Sequence, residues 1–125
     1  MLREWKGVRQ RPEEGPRRWF TDDDMDLIVW YDKAGGNIRG FQLCYGKQTS
    51  QHAVTWLADG STYSHARIDD GEEIGGIGLK QTPILVEDGR FDPVGLADRF
   101  RERAEMVEAG IRDLVVARLR GFPAR

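Results

Sequence analysis

The only two histidines of the chain, His52 and His65, flank Asp59-Gly60, a dipeptide that favours tight hairpin turns. With a two-residue loop, Ala58 faces Ser61, Trp56 faces Tyr63, Val54 faces His65 and His52 faces Arg67. Side chains alternate along a strand, so His52, Val54, Trp56, Tyr63, His65 and Arg67 share one face. Both imidazoles then meet diagonally beside two aromatic rings and a guanidinium. Two imidazoles with a carboxylate suit zinc or iron, and Asp69 or Asp70 lies near enough in sequence to supply one. A turn begins at Asp69, however, which removes the regular strand needed to aim it. No metal site is assigned and no cofactor is implied.

Other chemistries are weaker. Cys44 with a histidine has the composition of a nucleophilic pair. It lies in an apolar strand with no helix N-terminus to lower its pKa, and such thiols are inert. Gly75-Gly76-Ile77-Gly78 is too short, and too acidic in its flanks, to cradle phosphate, and Lys80 is out of spacing. Asp22-Asp23-Asp24 lacks the spaced ligands of a calcium loop and reads as a solvated turn. No catalytic motif is present. The candidate ligand or interface residues are His52, Trp56, Tyr63, His65, Arg67 and Gln42, the last as a polar group to orient a ligand with Arg67.

The elements that position these residues follow from pattern. Asp26–Asp32 is β-branched and aromatic-rich and predicts a strand. Ala34-Gly35-Gly36-Asn37 supplies a turn, and Ile38–Tyr45 returns antiparallel. Two registers are open: Val29 with Phe41 and Leu27 with Leu43, or Trp30 with Phe41 and Ile28 with Leu43. A slip of one residue swaps faces. A loop over Gly46–Gln51 leads to the His52–Ile68 hairpin. Asp69–Glu73 then reads as an acidic turn, Ile74–Gly78 as a glycine-rich stretch and Thr82–Val86 as an edge or proline-started strand. A short strand is expected at about 7–11, before the Pro12–Pro16 turn.

Asp92-Pro93 marks a helix start, with an N-cap acceptor and proline at the first helical position. Leu96, Phe100, Val107, Ile111, Leu114, Val115 and Leu119 follow at helical spacing. One helix over 93–119 would be about 40 Å long, against a radius of gyration of about 14 Å for a compact domain of this size. The helix therefore either breaks near Gly110 or projects beyond the sheet; a break within Glu105–Gly110 is the favoured reading, because glycine is a poor interior helix residue. Strands followed by helices define an α+β fold: an antiparallel sheet of about 5–7 strands covered by one or two C-terminal helices. Residues 1–16 form a polar N-terminal segment, 17–90 the sheet region and 92–121 the helical region of a single domain, 1–125. The small-residue hairpin face (Ala53, Thr55, Ala66) is expected to admit a helix, leaving the His/Trp/Tyr/Arg face to look outward or into a second layer or subunit.

Hydrophobic residues make up 39% and charged residues 32% of the chain, enough for a core and against global disorder. Residues 1–18 hold six Lys/Arg against three Asp/Glu (+3), residues 19–92 six against thirteen (−7), and residues 93–125 seven against five (+2). The net charge of −2 argues against nucleic acid as the main partner; the basic ends read as ordinary surface charge, or alternatively as a terminal patch for RNA or DNA phosphates. A lone cysteine allows no internal disulfide and suits a reducing compartment. No long apolar run predicts a membrane span or signal peptide, and no membrane partner is expected.

Arg17-Arg18-Trp19-Phe20, Asp26–Asp32, Gly40–Tyr45 and Lys80–Gly89 together resemble a family of small bacterial proteins without an assigned function, over about residues 17–120. The resemblance implies a bacterial, cytoplasmic, stand-alone domain and carries no catalytic residue across. The leading functional reading is a non-enzymatic interaction module, a homodimer joined through the outward hairpin face or the C-terminal helices. One alternative is a small-ligand or metal-binding protein, or modest enzyme, on the His52/His65 face. Another is a nucleic-acid accessory protein using Arg9, Arg11, Arg17 and Arg18.

Overall fold

The computed structural model describes residues 1–10, 15–33, 36–48, 51–67 and 91–123. Six strands run in chain order: β1 (Arg3–Trp5), β2 (Arg17–Thr21), β3 (Asp26–Tyr31), β4 (Ile38–Tyr45), β5 (His52–Leu57) and β6 (Thr62–Arg67). They form one antiparallel meander in the order β1 to β6. Two helices follow, α1 (Pro93–Arg103) and α2 (Ala109–Arg120). The α+β class and the C-terminal position of the helices agree with the sequence.

The register follows from which residues must be buried together. Val29 pairs with Phe41 and Leu27 with Leu43, the first of the two expected registers. Those four then line one face with Phe20, Val54 and Trp56, and the helices bring Leu96, Phe100, Ile111, Val115 and Leu119 onto it. Wholly burying such side chains stabilises by about 1.5–3 kcal/mol each, which holds the helices on this face. On the reverse face Ile28, Trp30, Cys44 and Ala53 cluster, with Trp19 packed beside them. Gln42 and Thr55 belong to that face too, and Gln42 Nε2 donates to Thr55 Oγ1 at 3.2 Å.

Three expectations need correction. The helices cover the His/Trp/Tyr face of the hairpin, not its small-residue face, because the former continues the apolar stripe of β3 and β4. The first strand is Arg3–Trp5 and not 7–11, placed by the pairing of Trp5 with Trp19, whose rings meet edge to face at 5.7 Å. Leu2, just before β1, is fully buried in the main core. The hairpin loop is longer than two residues: pairing stops at Leu57 with Thr62, and a 3₁₀ turn at Asp59–Ser61 intervenes, with Gly60 at φ 73°. The loop is symmetric about Asp59-Gly60, so the expected pairing of His52 with Arg67 and Val54 with His65 survives.

The helical region breaks as expected, between Arg103 and Ala109. Gly110 lies just inside α2 and is not itself the break. Asp92 caps α1 by accepting from the Gly95 amide at 3.0 Å. The expected acidic turn at 69–73, the glycine stretch at 74–78 and the strand at 82–86 lie outside the described residues. Among the described residues no helix is long and apolar enough to cross a membrane.

Candidate functional site

The end of β4 and the start of β5 place Tyr45 opposite His52. One strand further on, β6 presents His65 on the same face, diagonal to His52. The imidazoles stack with centroids 5.1 Å apart and planes 8° from parallel. The Tyr45 ring lies 5.8 Å from His52 and 5.9 Å from His65, again nearly parallel. Phe91, just before α1, stacks on His65 at 4.1 Å. Phe122, just after α2, meets Phe91 and Tyr63 edge to face. Arg99 of α1 sits over the Tyr45 ring at 5.8 Å. His52, His65, Tyr45 and Tyr63 are half-buried and Arg67 is exposed, so the group forms a corner that is neither closed core nor open surface.

Burial keeps two groups of this corner, His65 and Tyr45, uncharged. Burial, and secondarily the neighbouring His52, pull the His65 imidazole down from 6.5 to about 4. Burial pushes the Tyr45 phenol up to about 12, although Arg99 opposes it. At pH 7 both groups are uncharged, and their polar atoms stand 2.5 Å apart. A phenol is the better donor and a neutral imidazole nitrogen the better acceptor, so the Tyr45 hydroxyl donates to Nε2 of His65. A metal ion lies in the plane of each imidazole that binds it. Two stacked, near-parallel rings share no such plane, so the pair as arranged is not a chelate. Among the described residues no group of three or more His, Cys, Asp or Glu is placed to hold a metal, while Asp69 and Asp70 lie outside them.

The remaining expected residues separate. Trp56 is buried, with Phe41 at 5.9 Å and the Arg118 guanidinium 4.6 Å above its ring. Its Nε1 donates to Ser61 Oγ at 3.3 Å. It is a core residue under α2 and not an exposed anchor. Gln42 lies on the reverse face from Arg67, so the two cannot orient one ligand. Cys44 is also on the reverse face; its thiol contacts Gln42 Oε1 at 3.6 Å, and burial first, then Asp26, push it well above the usual thiol range. Of the basic set, Arg17 is buried and donates from Nε to the Arg9 carbonyl at 2.8 Å. Arg18 is held by Glu4, and Arg11 lies outside the described residues.

Tyr45, Phe91, Phe122 and Arg99 were not anticipated. Tyr45 had a signal: a loop over Gly46–Gln51 sets it opposite His52 whenever β4 and β5 pair. Phe91 and Phe122 flank the helices and belong to no periodic pattern. Compared with protein-family models, with curated proteins and with solved structures, the chain matches none.

Proposed function

We propose that the protein is a small-molecule-binding domain whose site is the corner formed by Tyr45, His52, His65 and Phe91. One observation carries this reading: two half-buried, parallel imidazoles stand together with a phenol, and at least one of them is neutral. Flat ring faces and uncharged hydrogen-bonding edges suit a planar heteroaromatic ligand. Arg99 and Arg67 stand at the rim, where an acidic substituent on the ligand would be favoured. The interaction-module reading rests on the aromatic/His/Arg hairpin face and on the C-terminal helices, and α1 and α2 pack over the apolar part of that face.

Native mass spectrometry of the purified protein, followed by NMR of the imidazole rings during titration with nucleobases and related heteroaromatics, tests the proposal. The expected result is a stoichiometric adduct, or saturable shifts of both rings, lost in His52→Ala and His65→Phe. A dimer with no adduct and unmoved imidazoles would overturn it in favour of the interaction module.

A further inference from the structure

A cleft lies at the opposite end of the strands from the His52/His65 corner. Tyr31 closes β3 at the end away from Tyr45 and His52. There a cleft of about 450 Å³ is lined by Pro16, Arg17, Arg18, Tyr31, Gly36 and Glu108. That volume lies within the range of small-molecule sites.

Arg18 is the chemical centre of the cleft. Its Nε donates to Glu4 Oε2 at 2.9 Å and its Nη2 to Glu4 Oε1 at 2.8 Å. This two-point fork fixes the guanidinium plane, as a lysine could not. The pairing holds the Glu4 carboxyl down to about 2, so the partner stays ionised. Tyr31 lines the same cleft, and its side chain favours the charged form of the guanidinium. The outer nitrogen, Nη1, points to Glu108 Oε1 at 3.3 Å. That is longer than the 2.7–2.9 Å of a tight charge-assisted bond. The Glu108 side chain is 64% exposed, so leaving the pair returns it to water at little cost. A rigid cationic edge thus faces the cleft, met by one loosely held carboxylate from another element.

We propose that this cleft binds a small organic monocarboxylate, which takes the place of the Glu108 carboxylate on Arg18 Nη1. The apolar body of the ligand lies against Tyr31 and Pro16. Glu108 is then a built-in competitor: it occupies the anion position when the cleft is empty and swings out when a ligand enters. A dianionic phosphate fits less well, because Glu4 and Glu108 would both repel it.

The test is a titration of the protein with sodium benzoate, followed by amide NMR at constant ionic strength, with sodium chloride as the control. Benzoate is expected to shift the amides of Tyr31, Gly36 and Glu108 saturably, and chloride is not. Glu108→Gln removes the competitor and should tighten benzoate binding several-fold. Arg18→Lys keeps the charge but loses the fork and should weaken it. Absence of saturable shifts in both the wild type and Glu108→Gln would overturn the proposal. So would equal affinities in those two proteins. Glu108→Gln alters an exposed side chain outside the core, so its result stands even if Arg18→Lys fails to fold.

Discussion

The Tyr45 hydroxyl reaches Nε2 of His65 at 2.5 Å although the two residues sit on strands that are not neighbours. Tyr45 ends β4 and His65 lies in β6, with β5 between them. Neighbouring strands are about 4.8 Å apart, so the phenol spans roughly two strand spacings and passes beside His52 to do so. The contact ties three strands together at one corner of the sheet. It also places the His65 ring between His52 and Phe91, at 5.1 and 4.1 Å. That enclosure is what keeps the imidazole from charging.

The first prediction is a pH dependence of stability. Folding lowers the pKa of His65 from 6.5 to about 4, chiefly by burial. Between those values the unfolded chain binds more protons than the folded one, so acid favours unfolding. The contribution of this group is fully present above pH 6.5 and is lost as pH falls toward 4. Urea denaturation across this window should show a falling midpoint. In His65→Phe, which keeps a flat ring in the stack, the slope should flatten. An unchanged slope would place the titration elsewhere.

The second prediction concerns the proton. With Tyr45 donating to Nε2, the neutral imidazole of His65 carries its hydrogen on Nδ1. Long-range proton–nitrogen NMR of the ring at pH 7 should show that tautomer. Tyr45→Phe removes the donor, should release the tautomer preference and should cost about 0.5–1.5 kcal/mol of stability. A protonated Nε2 would reverse the direction of the bond.

Legibility in the sequence varied with symmetry and with contrast between faces. The pairing of β5 with β6 was readable because the strands are symmetric about Asp59-Gly60, so lengthening the loop left His52 opposite Arg67. The pairing of β3 with β4 was ambiguous because Leu27 and Val29 on one face and Ile28 and Trp30 on the other are all apolar and all buried. Only the partners settle it: Phe41 and Leu43 join the helical side, whereas Gln42 and Cys44 join the reverse. Which hairpin face the helices cover was misread for a related reason. Small residues suggested close approach, but the larger apolar stripe through Trp56 and Val54 decided the packing. Strand β1 left no local signal, because three residues pair only where Trp19 awaits them.

Two glycines should respond in opposite directions to the same change. A Cβ at Gly40 would stand 2.4 Å from the Trp56 carbonyl oxygen and 2.9 Å from Leu57 Cδ2. Backbone cannot rotate away, so Gly40→Ala should destabilise by about 1–3 kcal/mol, or more if the ladder opens. At Gly110, inside α2, a Cβ would meet nothing within 4 Å. Gly110→Ala should therefore stabilise by about 0.5–1 kcal/mol. Urea denaturation of both variants at pH 7 checks the pair, and equal signs would refute the close approach at Gly40.

The last prediction falls in a different pH window. Asp22 lies in the turn between β2 and β3, and its side chain is 3% exposed. Burial alone would raise its pKa. The amides of Asp24 and Met25, donating to Oδ1 at 2.8 and 2.7 Å, outweigh that cost together with Arg103, which donates from Nη1 to Oδ2 at 2.9 Å. The net result is a carboxyl lowered from 3.8 to about 2. Its stabilisation is therefore present above pH 3.8 and is lost as pH falls toward 2. Asp22→Asn keeps an oxygen for the two amides and removes the charge facing Arg103, the last residue of α1. At pH 7 the variant should be less stable by about 1–3 kcal/mol, the cost of unpairing a hydrogen bond to a charged group. Between pH 4 and pH 2 the difference should shrink, because the unfolded wild-type chain takes up a proton at Asp22 that the folded chain does not. Thermal denaturation of both proteins from pH 7 to pH 2 measures that gap. A gap constant with pH would mean that Asp22 holds the end of α1 by shape and not by charge.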